Sequence, residues 1–258
     1  MSLLDEIVAH KREEVIVAQR ALPLAELARR LTHHQRGRDF IGALRQSGRL
    51  ALIAELKRQS PSRGMLRERF DPIEIAQTYQ AGGASALSVL TDTRYFGGQL
   101  SFLRDIKDFT ELPVLRKDFI LDEYQIYESA HAAADAVLLI ARLLAPGPLR
   151  RLVALAHALQ LDVLAEVHAE AELDAVLAAG CQLIGINHRD LDTLAIDPEL
   201  SERLVPQIPP ECIIVAESGL HTRADVERMR ALGVHAVLIG EAFMESADIA
   251  ATMRELMG

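Results

Sequence analysis

Cysteine is scarce in this 258-residue chain, with two in all. Cys181 and Cys212 lack metal-ligand spacing and make one bridge at most, so they read as small core hydrophobes of a reducing compartment. Long apolar runs are missing as well. None approaches the roughly 18 residues that a membrane helix needs, and the leading MSLLDEIVAHKREEV carries acids and bases through its apolar stretch, unlike a signal peptide or anchor. Positive charge is in deficit, at a net -9, which argues against nucleic-acid and anionic-membrane partners while leaving room for a local basic pocket. No low-complexity segment is present, and no Pro/Gly/Ser-rich linker divides the chain. What remains, half apolar and a quarter charged, is ordinary globular composition and points to a cytoplasmic protein.

Eight short apolar runs rich in β-formers are present: ALIAEL (51–56), SALSVL (85–90), PVLR (113–116), AVLLI (136–140), DVLAEV (162–167), LIGIN (183–187), CIIVAE (212–217) and HAVLIG (235–240). Between most of them lie helical periodicities such as DPIEIAQTYQAGG and TRADVERMRALG, several closed by a glycine suited to a helix C-terminus. Runs apolar on both faces and separated by helices call for a parallel sheet covered by helices. Eight such units close most naturally into a (β/α)8 TIM barrel, and about 250 residues is its usual size. An open doubly wound sheet is the alternative; it wants a GxGxxG loop after the first strand, and AELKRQSPSRG is not one. Residues 1–45 read as an N-terminal helical extension packed on the barrel, so 1–258 is expected to be a single domain.

In such a barrel the C-terminal strand ends share one mouth, where active sites lie. The endings here carry Glu55 and Lys57, Lys117, Glu166, Asn187 and Arg189, then Glu217, Ser218 and Gly219, then Gly240 and Glu241. Singly, each reads as a solvated strand end. Together they bring lysines, an arginine and carboxylates to one place, where burial shifts pKa values toward catalytic use. AESGL after the seventh strand and LIGEAF after the eighth set glycines where barrels commonly hold a phosphate, although tight turns alone also want glycine.

Longer motifs carry a family resemblance. IAELKRQSPSRG (53–64) with FDP (70–72), then SVLTD (88–92), YFGG (95–98), PVLRKDF (113–119), YQIYE (124–128), LAEVH (164–168), GIN-RDL (185–191), AESGL (216–220) and LIGEAFM (238–244) follow one another in family order. The chain resembles indole-3-glycerol phosphate synthases over essentially its whole length, including the leading LDEIVAHKREEV, and its length matches a form with no second barrel fused.

The resemblance implies ring closure, decarboxylation and dehydration of 1-(2-carboxyphenylamino)-1-deoxyribulose 5-phosphate, with no cofactor and no metal. It implies Lys117 as general acid, Glu166 in acid/base work, and Lys57, Glu55 and Asn187 beside them. By the same resemblance Ser60, Arg189, Leu191 and Ser218 bind substrate, Phe96 and Phe119 cover its aromatic ring, and Gly219, Gly240 and Glu241 form phosphate-binding turns. The expected partner is a small phosphorylated molecule, and the expected assembly a monomer or weak homo-oligomer. Three positions depart from the family pattern: His188 where a second Asn is usual, Gln59 where a small residue is common, and Ala133 in place of a frequent Gly. Alternation along the strand end turns the His188 side chain away from substrate. The loop KRQSPSRGM reads as a mobile lid. Two other classes stay open, a barrel in which Lys117 or Lys57 forms a Schiff base and an idle barrel kept as a partner subunit.

Overall fold

The computed structural model describes residues 2–31, 37–45 and 49–258. Eight parallel strands close into a barrel: β1 (Ala51–Leu56), β2 (Ala86–Leu90), β3 (Val114–Lys117), β4 (Ala136–Ile140), β5 (Asp162–Val167), β6 (Leu183–Asn187), β7 (Ile213–Glu217) and β8 (Ala236–Ile239). Each pairs with its sequence neighbours, and β8 closes on β1 through Ala51 opposite Ala236. The expected (β/α)8 barrel is therefore the fold. Four of the eight runs have the bounds read from sequence, and the others differ by one residue at one or both ends. Lys117 belongs to β3 itself, because its backbone continues the ladder opposite Leu90. The segment read as a lid forms a small antiparallel hairpin, Gln59–Ser60 against Gly64–Met65.

Among the described residues three helices precede the barrel, α1 (Leu3–Ala21), α2 (Leu24–Arg30) and α3 (Phe40–Leu44). The outer layer follows as α4 (Pro72–Ala81), α5 (Thr93–Phe96), α6 (Ser101–Lys107), α7 (Glu123–His131), α8 (Pro146–Ala158), α9 (Glu170–Ala178), α10 (Leu200–Leu204), α11 (Arg223–Ala231), α12 (Glu241–Glu245) and α13 (Ile249–Met257). Strand alternation divides the core in two. In β1, Leu52, Ala54 and Leu56 join the cluster between strands and helices, while Ala51 and Ile53 join the one inside the barrel. The same period sends Leu115, Leu164, Leu183 and Val215 inward. It therefore turns the positions two residues further on, Lys117, Glu166, Gly185 and Glu217, toward the inner face at the C-terminal mouth.

α1 starts at a capping box between Ser2 and Asp5 and buries Leu4, Ile7, Lys11 and Val15, spaced by three or four residues as one helical face requires. A lysine on that face needs partners. Lys11 Nζ lies 2.9 Å from Asp92 and 2.9 Å from Asp118, and 2.6 Å from Glu14. Burial alone would lower its pKa, but Asp118 and Asp92 hold it above the usual lysine range. Asp118 also accepts from Arg116 at 3.0 Å and from the Thr91 hydroxyl at 2.6 Å, and Arg116 reaches Glu128 at 2.8 Å. Two of the three charges in RKD are thus absorbed beneath α1, and only Lys117 joins the carboxylates at the mouth. Removing one member of such a buried set strands its partners, at a cost of about 3–5 kcal/mol.

Five helices end alike, with a left-handed residue followed by a backbone N–H that reaches five residues back. Glycine supplies the turn at Gly83, Gly180 and Gly233, but Ala133 (φ 65) and Gln160 (φ 60) supply it at the other two. Ala133 departs from the family's glycine at a position where a Cβ is strained. Ala133→Gly is expected to raise the unfolding free energy in urea by about 0.5–1 kcal/mol without changing activity, the relief of left-handed strain exceeding the entropy cost of glycine. A loss of stability would show that the strain is absent.

Candidate active site

Four inward side chains meet at the mouth. Lys117 Nζ sits 2.8 Å from Glu217 Oε2, 3.2 Å from Glu166 Oε2 and 3.8 Å from Glu55 Oε1. Lys57 Nζ takes the other Glu55 oxygen at 2.9 Å. The three carboxylates come from β1, β5 and β7 and the central ammonium from β3, so only the closed barrel assembles them. Tyr79 fixes the start of the group by donating its hydroxyl to the Glu55 carbonyl at 2.9 Å.

Burial and charge set the protons. Desolvation would drive Lys117 neutral, yet Glu217, Glu166 and Glu55 outweigh it and hold the amine well above its ordinary pKa. Burial also opposes ionisation of Glu55, which Lys57 and Lys117 keep below the usual carboxylate range. Glu166 and Glu217 part company. Both lose water, but Lys117 and His168 hold Glu166 ionised, whereas burial and the charge of Glu166 push Glu217 up to about 8. The short contact of Glu217 with Lys117 works against that rise without cancelling it. The group thus holds ammonium on Lys117 and carboxylate on Glu166, while Glu217 keeps its proton to higher pH than Glu166, two neighbouring acids driven apart by their surroundings.

Two glycines make room for these carboxylates. A Cβ on Gly185 would lie 2.2 Å from Glu217 Oε1, and one on Gly240 would lie 2.6 Å from Glu55 Oε2. The glycine of LIGEAF thus serves Glu55 as well as the turn into α12, where Gly240 is the N-cap.

All residues singled out in the sequence for catalysis or binding line one cavity, about 1120 Å³ with its open mouth. Phe96 and Phe119 form a tilted pair on one wall, ring centroids 6.0 Å apart. Ser60 sits on the hairpin and accepts from the backbone of Arg63 at 3.3 Å. The neighbouring Gln59 donates to the Arg94 carbonyl at 3.3 Å and ties the hairpin to α5. Asn187 ends β6 and accepts from the backbone N–H of Arg189 at 3.0 Å, with Leu191 further along the same loop. Across the mouth, Ser218 (φ 66) and Gly219 (φ 72) make consecutive left-handed turns. Glu241 begins α12 but turns its carboxylate to Arg189 at 3.1 Å and Arg63 at 2.7 Å, so an anion at this turn meets its backbone.

His188 faces outward, as alternation requires. Its Nδ1 lies 3.0 Å from the Ser218 carbonyl, which only accepts, so that nitrogen carries the hydrogen and Nε2 accepts from the Ser201 hydroxyl at 2.7 Å. Burial lowers its pKa, consistent with a neutral ring. Other features were missed in sequence. Glu217 was seen as a strand ending but given no role, since its partner Lys117 is 100 residues away. Leu3, Leu4 and Ile7 of α1 also line the cavity; their amphipathic face was legible, its target was not.

The family model for indole-3-glycerol phosphate synthase matches residues 4–256. An indole-3-glycerol phosphate synthase of Dehalococcoides mccartyi is 47% identical over 259 residues, covering 99% of this chain and 100% of that protein. That of Acidithiobacillus ferrooxidans is 47% identical over 249 residues, 95% of each chain. Among solved structures, a 3-hexulose-6-phosphate synthase superposes with a TM-score of 0.65 at 18% identity, over 81% of this chain and 98% of its own, a likeness of fold alone. Among the described residues, no helix is long and apolar enough to cross a membrane. With a match that runs from the first turn of α1 to the end of α13 and takes in every strand that carries the charged mouth, the chain belongs to the indole-3-glycerol phosphate synthase family.

Proposed function

We propose that this chain converts 1-(2-carboxyphenylamino)-1-deoxyribulose 5-phosphate to indole-3-glycerol phosphate, carbon dioxide and water, with Lys117 at the centre of the chemistry. One observation carries the reading: a single buried ammonium shared by three carboxylates, beside an aromatic pair and two glycine turns. The aryl carbon bearing the carboxylate must attack the ketone. Lys117, kept charged, hydrogen-bonds the ketone oxygen, stabilises the negative charge that develops there and gives it the proton that makes it a hydroxyl. Carbon dioxide then leaves, its bonding electrons restoring the aryl ring, so ring closure itself supplies the driving force and the residues need only manage protons.

Dehydration follows. The new hydroxyl leaves as water after receiving a proton, and the carbon next to nitrogen gives one up to complete the indole. Glu217 holds a proton below about pH 8 and suits the first task. Glu166 is ionised and suits the second. Lys57 and Asn187 orient the substrate carboxylate and hydroxyls, while Glu55 balances Lys57. Phe96, Phe119 and Leu191 cover the anthranilate ring, and Ser60 and Arg189 add polar contacts. The backbone at Ser218, Gly219, Gly240 and Glu241 meets the phosphate. The extension and barrel, residues 1–258, act as one domain in a cytoplasmic monomer or weak homo-oligomer, and no step in this scheme calls for a cofactor.

A Schiff base fits less well. It needs a neutral amine as nucleophile, and the charges of Glu166 and Glu55 hold Lys117 protonated.

The chain contains no tryptophan, so the fluorescence of an indole product stands clear of the protein. The parent protein mixed with the substrate is expected to give a rise in indole fluorescence, and Lys117→Ala to lose activity by about 10³-fold or more. A folded parent that gives no signal would remove the reading, and borohydride trapping of substrate on a lysine would replace it. His188→Asn is expected to leave the shape of the pH–rate profile unchanged, since the ring is neutral and faces away from the cavity. A displaced profile would put His188 among the titrating groups of the site.

A further inference from the structure

Glu166 has a neighbour that the proposed chemistry leaves unused. His168 lies two residues further along β5, so its side chain falls on the same face, just beyond the strand. Its side chain is fully buried, and it does not line the cavity. Nε2 stands 3.1 Å from Glu166 Oε1, and Nδ1 stands 3.7 Å from Glu172 Oε2 on α9. The His168 backbone N–H donates to that same Glu172 oxygen at 2.8 Å, which pins the carboxylate.

We infer that His168 is a positioning residue, an imidazolium wedged between Glu166 and Glu172 that fixes the orientation and ionised state of Glu166. The inference rests on the reading of Glu166 as the base. Geometry requires the charge. Both ring nitrogens face carboxylate oxygens, which only accept, so a neutral ring would aim a lone pair at an anion. Neither contact is a hydrogen bond, since Nδ1 lies too far from its oxygen and Nε2 is poorly aligned with its own, so the attraction is ionic in the main and depends on the ring's full charge. Burial favours the neutral ring, but Glu166 and Glu172 reverse that preference and bring the pKa to about 9.

The arrangement extends on both sides. Lys117 of β3 faces the other Glu166 oxygen, and Arg142, just after β4, reaches Glu172 at 3.3 Å and then Asp190 and Asp192 at 3.1 and 3.2 Å. Charges alternate from the active-site ammonium to the loop after β6. Within that line His168 takes Oε1 of Glu166, and Oε2, itself buried, faces Lys117. Without it, Oε1 would face no cation, the carboxyl would hold its proton to higher pH, and its orientation would no longer be set.

The test uses the full chain with His168→Leu, His168→Gln and Glu166→Gln, assayed between about pH 5 and pH 9. His168→Leu is expected to lower kcat by about 10- to 100-fold with KM within about twofold, and to move the acid limb of the kcat profile upward. His168→Gln, which keeps an N–H toward Glu166 without the charge, should recover part of kcat but not the position of that limb. Equal losses in both variants with an unmoved limb would mean packing alone and overturn the inference, as would a His168→Leu enzyme like the parent. Should His168→Leu fail to fold, nitrogen NMR of the parent decides: a ring protonated at both nitrogens at neutral pH is expected, and a neutral ring there overturns the inference. Glu166→Gln separates the two claims. If it is inactive while His168→Leu is normal, only this inference falls; if it is active, the base reading falls and takes this inference with it.

Discussion

One buried ammonium shared among three carboxylates is the constraint on which the rest of this molecule depends. Three acids and a lysine with so little water would be ruinous if any were misplaced, because an uncompensated buried charge costs several kcal/mol. The barrel meets the condition by alternation: the strand positions that send Leu115, Leu164 and Val215 into the core send Lys117, Glu166 and Glu217 to the mouth. Space is cleared by Gly185 and Gly240, where any side chain would run into Glu217 or Glu55. Charge is balanced by Lys57, and eased by the raised pKa of Glu217.

A separate buried set of charges holds α1 against the barrel. Arg116 and Asp118 flank Lys117 in sequence but point away from it, into the set that anchors Lys11 of α1. The helix so anchored lays Leu3, Leu4 and Ile7 along the cavity. A charged strand ending thus does two jobs, as its middle residue serves the site while its neighbours hold a helix beside it.

Much of this was legible beforehand. Apolar runs on both faces marked every barrel strand, since a strand covered by helices has no polar side to confuse the pattern. The strand endings named the candidate site, because a barrel sends all its C-terminal ends to one place. Short elements escaped: α3 and the hairpin at 59–65 span too few residues for a period to show. Relations across the barrel escaped too. Nothing near Glu217 in sequence announces Lys117, and nothing near His168 distinguishes it from a polar residue leaving a strand, although carrying the alternation two residues past Glu166 would have placed it on the same face. The proton count on Glu217 depends on burial and on Glu166 together, which only the folded arrangement supplies.

The central claim is that neighbouring Glu166 and Glu217 hold different proton counts around one lysine. Carboxyl carbon NMR of glutamate-labelled protein, assigned with Glu217→Gln and followed from acid to alkaline pH, tests it most directly. The account predicts that Glu217 ionises near 8 while Glu166 stays charged throughout the neutral range. Glu217 titrating among ordinary glutamates, at about 4 to 5, would contradict it.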